Sequence, residues 1–498
     1  MPTLTKSRFV SGTQCAKKLY FDVFQKNLKP ETSAQQQALF DTGHHIGILA
    51  QSKYPGGKNA IFEFNGNWDM AIARTRQWLL NGTQTIYEAS FSIHGCFAAV
   101  DILHHQNGQR WAIEVKSSTS VKDYHLTDAA FQYYVMEQAG FAPDEVFIMH
   151  INNSYVKQGE LDINKLFHCE RVTQKVRDMQ MQITIKHVAL QQMLNRATEP
   201  NIDIGSHCLS PFECPYMHHC WAHITNQSVL HLNNPRGKQW QLYENGIQHL
   251  ADIPEHYPLN HQQYLQVEGV RNNTIHIDRQ QLQHFLNPIQ KPLCFFDFET
   301  INPALPVLNG TKPFEQVPFQ YSLHICDAQL NIQQHCEFLA QAHDFTNATS
   351  TDPRLQLIEQ LKRDMPQHGS IIAYNAAFEI SILKGLAIAF PDEEPFLNGL
   401  ITRFVDLYLP FKSGWYYKPE MGASLSIKSV LPAIAPEFSY DDLKIANGGL
   451  ASSVFYDMIA ECFSGNMQET RSDLLEYCKR DTEGMIIIYR HLQHVITK

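Results

Sequence analysis

The distribution of apolar residues predicts a β-hairpin in the first part of the chain. Residues 97–104 and 110–117 each have the composition of a strand, and Asn107-Gly108 lies between them. Asn-Gly is a strong hairpin signal, because a tight two-residue turn needs positive φ at both positions. The pattern predicts two antiparallel strands joined by this turn, with Gln106 paired to Gln109.

In that register Asp101 and Glu114 lie directly opposite one another, with Cβ atoms about 4.5–5.5 Å apart. Lys116 is two residues beyond Glu114 and therefore lies on the same face. Two carboxylates this close repel unless a cation compensates them, and their oxygens suit Mg²⁺ or Mn²⁺. Such a metal polarises a phosphate and activates water, while Lys116 orients the water or stabilises charge. The alternative is a surface patch in which Lys116 is only the counter-ion.

Residues 289–498 alternate strand-like and helix-like segments, which predicts an α/β domain. Within it, residues 293–300 form an apolar strand that carries Asp297 and Glu299 at positions i and i+2. Both side chains therefore point to one face. Carboxylates on a strand this apolar need a cation or a partner, so the pair is a second candidate metal site.

Two later segments carry the other residues of this second candidate site. Residues 370–374 are typical of a strand, and the helix that follows contains Glu379. Tyr477 and Asp481 are four residues apart on a helix that we expect to begin near Ser472, so they share a face. The alternative is a structural α/β domain in which these acids are coincidental.

Four cysteines have a spacing that predicts a shared ligand. Cys208, Cys214 and Cys220 are separated by five residues each, and Cys15 lies far upstream. Four thiolates can hold a [4Fe–4S] cluster that joins the two ends of the first domain. Zinc, with a neighbouring histidine as a further ligand, is the alternative. The third interpretation is a set of buried cysteines without a ligand.

Composition limits the class of protein. A length of 498 residues suggests about three domains. The net charge of −10 argues against a protein that coats nucleic acid, although an acidic nuclease can bind phosphate through its metals. Without an N-terminal apolar region or a long apolar run, we expect a cytoplasmic protein with no membrane association. In that compartment the eleven cysteines are expected as thiols or metal ligands.

The first candidate site resembles that of the PD-(D/E)xK nuclease superfamily, in particular its RecB-like branch. Asp101 and the segment 114–116 match the family motif, Glu88 matches the acid that precedes it, and Gln132 matches the glutamine that follows it. The four cysteines match the iron–sulfur members, which include AddB-type and CRISPR-associated RecB-like nucleases. The resemblance implies a restriction-endonuclease-like fold with these residues as its catalytic set and a [4Fe–4S] cluster, with zinc as the alternative.

One part of the RecB-like pattern differs. Many of these enzymes have a metal-binding histidine in a Gly-x-x-x-His pattern, and here Gly43 is followed by Gly47 at the histidine position. Either His44 or His45 takes its place, or the site lacks this ligand.

The second candidate site resembles that of the DEDD (DnaQ-like) exonuclease superfamily. Asp297 and Glu299 match its D-x-E motif, and Tyr477 and Asp481 match the Y-x3-D motif of the tyrosine-containing subclass. Glu379 stands where the N-x-x-F-D motif usually has aspartate. The resemblance implies a ribonuclease-H-like fold and 3′→5′ exonuclease chemistry, in which two cations about 4 Å apart clamp the reacting oxygens. Tyr477 would position the water.

These resemblances imply an α/β protein with three parts. We expect an iron–sulfur RecB-like nuclease domain in residues 1–225 and a DEDD exonuclease domain in residues 289–498. Residues 226–288 would form a small, mainly helical connector or a helical-hairpin DNA contact. Together the parts resemble a bacterial family of uncharacterised proteins that fuse the two nucleases.

The expected function is a metal-dependent DNA nuclease with two active sites. It would act on single-stranded DNA or duplex ends in DNA repair, recombination or defence against mobile DNA, with a helicase as a candidate partner. One alternative is a DNA-end-binding scaffold with one or both sites inactive, which recruits a helicase or nuclease. The other is an RNA exonuclease, because DEDD chemistry accepts either polymer.

Overall fold

The computed structural model describes residues 2–62, 67–347 and 349–497. The chain divides into two compact units, Met1–His223 and Ile224–Lys498. Both units combine sheets with helices, which confirms the mixed α/β class. Residues 226–288 belong to the second unit in this division. Within the described ranges, no helix has both the length and the apolar character that crossing a membrane requires.

The first unit contains a seven-stranded sheet. Its strands are β1 (Leu4–Thr5), β2 (Lys58–Asn59), β3 (Thr85–Ile93), β4 (Cys96–Gln106), β5 (Gln109–Lys116), β6 (Glu145–Ile151) and β7 (Phe167–Arg171). The spatial order is β2-β3-β4-β5-β6-β7, and β1 pairs with the start of β4. β5 and β6 run parallel, whereas the pairs on either side of them are antiparallel.

The β4–β5 hairpin has the predicted register. Gln106 pairs with Gln109 across the turn. Asn107 and Gly108 have φ angles of 53° and 76°, the positive values that the two-residue turn requires. The register follows from this local turn chemistry, which is why the sequence alone could predict it.

Helices cover the first sheet. They are α1 (Lys6–Gln14), α2 (Ala16–Phe24), α3 (Ala34–Gln51), α4 (Trp68–Leu80), α5 (Asp123–Gln138), α6 (Ile163–Leu166), α7 (Thr173–Asp178), α8 (Gln180–Arg196) and α9 (Met217–Cys220). α5 packs against β3, β4 and β6 and against α1, α7 and α8. The rings of Phe9 on α1 and Phe131 on α5 stack at 4.4 Å, which brings the start of α1 close to the sheet.

The second unit is built on a five-stranded sheet with the order β11-β10-β9-β12-β13. Its strands and a separate two-stranded pair are β8 (His276–Ile277), β9 (Leu293–Ile301), β10 (Val317–Cys326), β11 (Ile332–Leu339), β12 (Ser370–Ala373), β13 (Phe404–Asp406) and β14 (Tyr416–Tyr417). β9, β10 and β11 pair antiparallel, while β12 and β13 continue the sheet in parallel from β9.

The second unit also contains helices, several of which cover the two faces of this sheet. They are α10 (Lys238–Glu244), α11 (His261–Asn272), α12 (Arg279–Leu286), α13 (Pro353–Asp364), α14 (Ala377–Ala389), α15 (Glu394–Ile401), α16 (Leu409–Lys412), α17 (Ile427–Ile434), α18 (Gly448–Ile459) and α19 (Met467–Thr497). The predicted helix with Tyr477 begins at Met467, five residues before Ser472, and packs against β9 and β10.

The helical hairpin considered for residues 226–288 is only partly present around Gly246. α10 is its first helix, but the second segment forms a single helical turn, Leu250–Asp252. Val229, Leu242 and Leu250 join one small apolar core. A single turn suffices to bury Leu250 there, because Gly246 reverses the chain with a φ of 80°.

Candidate functional sites

Three neighbouring strands of the first sheet carry an acid at one level. Tyr87 and Ala89 on β3 pair with residues 102 and 100 on β4, so Glu88 lies opposite Asp101. The hairpin register in turn places Asp101 opposite Glu114 on β5. The ladder hydrogen bonds give way at this level, because the Val115 N–H donates to the Asp101 carboxylate at 2.7 Å.

Lys116 and Gln132 both contact the buried Glu114. Lys116 Nζ lies 2.5 Å from Glu114 Oε1, and Gln132 Nε2 donates to Glu114 Oε2 at 2.5 Å. Glu114 is only 2% exposed. The structure therefore brings together the predicted residues Glu88, Asp101, Glu114, Lys116 and Gln132.

Two further residues of this site were missed by the sequence analysis. Lys6, the first residue of α1, lies with its Nζ 2.8 Å from Glu114, 4.0 Å from Asp101 and 3.9 Å from Asp128. Asp128 on α5 contacts Lys116 Nζ at 2.5 Å. Asp128 is one helical turn before Gln132, a spacing that could have drawn attention to it, whereas no spacing links Lys6 to the hairpin.

The charges of the first site do not balance. Burial raises the pKa of Glu88 to about 7, and burial with the neighbouring Glu114 raises the pKa of Asp101 well above its ordinary value. Burial also opposes ionisation of Glu114, but Lys116 and Lys6 outweigh it and lower the pKa of Glu114.

Four acids thus surround two lysines, whose own pKa values the carboxylates raise against the effect of burial. The second carboxylate oxygen of Asp128, Oδ1, is buried without a hydrogen-bond partner. An unpaired buried acceptor and an excess of negative charge both fit a divalent cation.

The histidines considered as substitute ligands lie on α3. His44 and His45 are exposed there, and Gly47 follows them on the same helix. The described contacts of the acidic site come from β1–α1, the sheet and α5 instead.

Lys6 should be a competitor of a divalent cation. We expect Lys6→Met to lower the free energy of unfolding of the metal-free protein by about 2 kcal/mol, because Asp101, Glu114 and Asp128 then share one lysine. Added Mn²⁺ should stabilise the variant more than the wild type. Thermal unfolding with and without Mn²⁺ measures both effects, and the exposed Lys165→Met provides the control. An unchanged Mn²⁺ response would contradict this role.

The four predicted cysteines line one cavity of the first unit. Cys15 lies between α1 and α2, and Cys220 ends α9. Cys214 N–H donates to Cys208 O at 2.8 Å, which folds the intervening loop into a compact turn. Burial raises the pKa values of Cys214 and Cys220, so these thiols ionise only if a cation or cluster compensates them.

Hydrogen bonds hold the cysteine loop against the N-terminal helices. Gln14 Nε2 donates to His207 O at 2.8 Å and to Phe212 O at 2.7 Å. Tyr216 Oη donates to Asp22 Oδ1 at 2.7 Å. These contacts place Cys15 beside cysteines almost two hundred residues away in the sequence.

The second candidate site lies on one face of β9. Phe295 contributes to the core that includes α19, whereas Phe296 and Phe298 contribute to the core on the opposite face. Asp297 and Glu299 have the parity of Phe295 and therefore face α19, as the alternation predicted. Burial, and after it the charge of Asp481, raise the pKa of both carboxyls well above the ordinary range.

α14 and α19 supply the remaining predicted residues. Glu379 is 2% exposed on the first turn of α14, and its Oε2 has no hydrogen-bond partner. Burial raises the pKa of Glu379 to about 8. Asp481 and Tyr477 are buried one turn apart on α19. The charge of Glu379 raises the pKa of both Asp297 and Glu299, so the structure does bring this set together.

Three other side chains reach this second site. Tyr440 Oη donates to Asp481 Oδ1 at 2.6 Å. Lys428 Nζ donates to Tyr477 Oη at 3.3 Å. Cys478 Sγ lies 3.7 Å from Asp297 Oδ2. Asp297, Glu299 and Cys478 each place a ligand atom within 4.8 Å of the other two, a group that could hold a metal ion.

Comparisons with known proteins bear on parts of the chain. A family model described as a domain of unknown function, DUF2779, matches residues 294–426. An uncharacterised protein of Mycoplasma genitalium is 25% identical over 226 residues, which are 43% of this chain and 33% of that protein. One from Mycoplasma pneumoniae is 27% identical over 217 residues, which are 41% and 32% of the two chains.

A third relative, an uncharacterised protein of Ureaplasma parvum, is 26% identical over 249 residues, 45% of this chain and 34% of that protein. The matches thus span about a third of the length of these curated relatives. A solved structure, that of the protein SSO0001, matches 43% of this chain and 97% of its own at 12% identity, with a TM-score of 0.17.

Proposed function

We propose that the chain is a metal-dependent nuclease with one active site in each unit. The observation that carries the proposal is the convergence of buried acids in the second unit. Asp297, Glu299, Glu379 and Asp481 come from three separate elements, and burial raises the pKa of each. Such a cluster is costly to bury without cations, and a pair of divalent ions is a common reason for its presence in phosphodiesterases.

Topology supports the finer fold assignment of the second unit. Three antiparallel strands continued by two parallel ones, with acids on the central β9, are what a ribonuclease-H-like fold would have. A long C-terminal helix then carries the last acid against β9. We assign the site to DEDD-type 3′→5′ exonuclease chemistry on this basis.

The residues of this site have distinct roles in the proposed reaction. Bound cations would polarise the scissile phosphate and lower the pKa of the attacking water. Asp297, Glu299, Glu379 and Asp481 would hold them. Burial raises the pKa of Tyr477 far above its ordinary value, so its hydroxyl stays protonated and can donate a hydrogen bond to the water.

In the first unit we propose a RecB-like PD-(D/E)xK site. Asp101, Glu114 and Asp128 would provide metal ligands, and Lys116, which lies beside Glu114 and Asp128, would stabilise charge on the phosphate. Gln132 fixes the orientation of Glu114 through its amide. The acids lie on a hairpin, and the helix that follows it packs back against them. This is the arrangement that the proposed nuclease fold would use.

The cysteines would hold a [4Fe–4S] cluster that joins the ends of the first unit. The four sulfurs line one cavity. Tetrahedral zinc, with bonds of about 2.3 Å to sulfur, needs its ligand sulfurs about 3.8 Å apart. Among the described residues, no three of these cysteines have sulfurs within 4.8 Å of one another. Metal analysis distinguishes a four-iron cluster from a single zinc ion at these cysteines.

DNA ends are the proposed substrate, and digestion of end-labelled strands tests it. Wild type, Asp101→Asn, Asp297→Asn and the double variant would be compared with Mg²⁺ or Mn²⁺ on DNA and RNA of one sequence. The exposed Asp178→Asn and Asp392→Asn are matched controls for the two units. We expect each site variant to lose a different product pattern and the double variant to be inert.

Other results would favour the alternatives. Faster cleavage of RNA than of DNA would indicate an RNA exonuclease. DNA-end binding without cleavage would favour a scaffold that recruits a helicase or nuclease. The ion pairs of Lys6 are the observation that favours a scaffold, because they partly neutralise the first site without a metal.

A further inference from the structure

Lys428 is a basic side chain that reaches the acidic cluster of the second unit. It lies on α17, and its Nζ donates to Ala446 O at 2.6 Å and to Tyr477 Oη at 3.3 Å. The same amine lies 5.2 Å from the ring of Tyr440 and 4.9 Å from the ring of Tyr477. Two hydrogen bonds and two aromatic faces therefore fix the position of this ammonium group.

The direction of the hydrogen bonds decides what Tyr477 can do. A lysine ammonium has donors only, so Tyr477 Oη must accept from Lys428. The phenolic hydrogen then points away from Lys428. Asp481 lies one helical turn from Tyr477, interacts with its hydroxyl, and accepts a hydrogen bond from Tyr440 at 2.6 Å. Lys428, Tyr477, Asp481 and Tyr440 thus form one directed network.

The hydrogen bond from Lys428 to Ala446 O lies close to Glu299. Ala446 lies two residues before Gly448, which begins α18. A Cβ at Gly448 would lie 3.3 Å from Glu299 Oε2 and 3.8 Å from Tyr477 Oη, so this turn passes close to the site. By binding Ala446 O, Lys428 connects the turn beside Glu299 with the hydroxyl of Tyr477.

We propose that Lys428 is a positioning residue of the exonuclease site, holding the Tyr477 hydroxyl so that its single hydrogen points toward the acidic cluster, where the attacking water would bind. The inference rests on the proposed function of this site. Lys428 makes and breaks no bond in the reaction. Its effect is to select one orientation of the Tyr477 hydroxyl, which otherwise rotates between several acceptors.

Kinetics of two Lys428 variants test the proposal. We expect Lys428→Met to lower kcat by about 30-fold with KM within about 3-fold of wild type, because a misplaced donor costs rate rather than binding. Lys428→Arg should recover part of the loss. Lys444→Met removes the same charge from an exposed position paired with Glu469, and should keep wild-type kinetics.

A double-mutant comparison shows whether Lys428 acts through Tyr477. Introducing Lys428→Met into Tyr477→Phe should cost little further activity, because the hydroxyl that Lys428 positions is already gone. A full additional loss would overturn the proposal, as would a Lys428→Met enzyme as fast as the Lys444→Met control.

Manganese affinity provides a measurement that does not depend on turnover. Removing an ammonium group close to the carboxylates should tighten Mn²⁺ binding several-fold in Lys428→Met, whereas a merely structural defect would weaken it. If Lys428→Met bound Mn²⁺ no more tightly than Lys444→Met, the proposed position of the Lys428 ammonium group beside the carboxylates would be wrong. Should the wild type cleave neither DNA nor RNA, the proposed function fails, and Mn²⁺ affinity still decides where Lys428 acts.

Discussion

Asp481→Asn should abolish 3′-end degradation and at the same time stabilise the metal-free protein. Burial raises the pKa of Asp481, and the charge of Asp481 raises the pKa of Asp297 and Glu299. Removing that charge relieves repulsion, and the amide oxygen of Asn can still accept from Tyr440. We expect about 1–2 kcal/mol of added stability and a loss of activity of about 10³-fold or more, since a metal supplies several kcal/mol.

The pH dependence of the metal-free protein follows from the same carboxyls. A carboxyl whose pKa is raised by folding stabilises the protein at low pH and loses that contribution as pH rises through its folded pKa. For Glu379 the change lies between 4.5 and about 8. We therefore expect the free energy of unfolding to fall across this interval and Mg²⁺ to restore it in the wild type.

Calorimetric unfolding from pH 5 to 8, with and without Mg²⁺, measures both effects. Asp442→Asn is the matched control, because Asp442 is an exposed acid paired with Arg480 on α19. The stability of this variant should stay close to that of the wild type, because an exposed ion pair contributes little. A destabilised Asp481→Asn that still responds to Mg²⁺ like the wild type would contradict a metal role for the cluster.

Cys208→Ser should remove the iron and destabilise the first unit. The cluster would join Cys15 to cysteines almost two hundred residues away, and a cross-link across so long a loop is worth about 5 kcal/mol in chain-entropy terms. Cys15→Ser should have the same effect, because it removes the opposite anchor. The loss of stability is expected in the first unit, while the exonuclease activity of the second unit should persist.

Anaerobic purification followed by metal analysis and visible absorption distinguishes the ligands. We expect a brown wild-type protein with about four irons per chain and a colourless Cys208→Ser protein. Cys462→Ser, which changes an exposed cysteine of the second unit, should keep its iron. A colourless wild-type protein with one zinc per chain would show that the cysteines bind zinc instead of an iron–sulfur cluster. A wild type without either metal would leave the cysteines as buried thiols.

Local chemistry let the sequence alone predict several features. The Asn107-Gly108 turn sets the register that places Asp101 opposite Glu114. The period-2 alternation of β9 and the four-residue spacing on α19 likewise depend only on neighbours along the chain. Such features follow from backbone geometry within one element or one tight turn, so no knowledge of the remaining chain was needed.

Only the tertiary structure showed which distant side chains complete each site. Lys6 and Asp128 reach the first hairpin from α1 and α5, and Lys428 and Tyr440 reach α19 from segments about forty to fifty residues earlier. No spacing or period links Lys6, Lys428 or Tyr440 to these sites, because their contacts depend on how separate elements pack. Only Asp128 has a local signal, its position one helical turn before Gln132.

Tertiary packing also decided the balance of charge in both sites. An acid on an apolar strand is a candidate ligand from sequence, but burial and the neighbouring charges set its pKa. Glu114 illustrates this: burial opposes its ionisation, yet Lys116 and Lys6 lower its pKa. Sequence alone therefore determined the candidate acids and their local geometry, while packing decided which charges surround them, because electrostatic energies depend on distances in space.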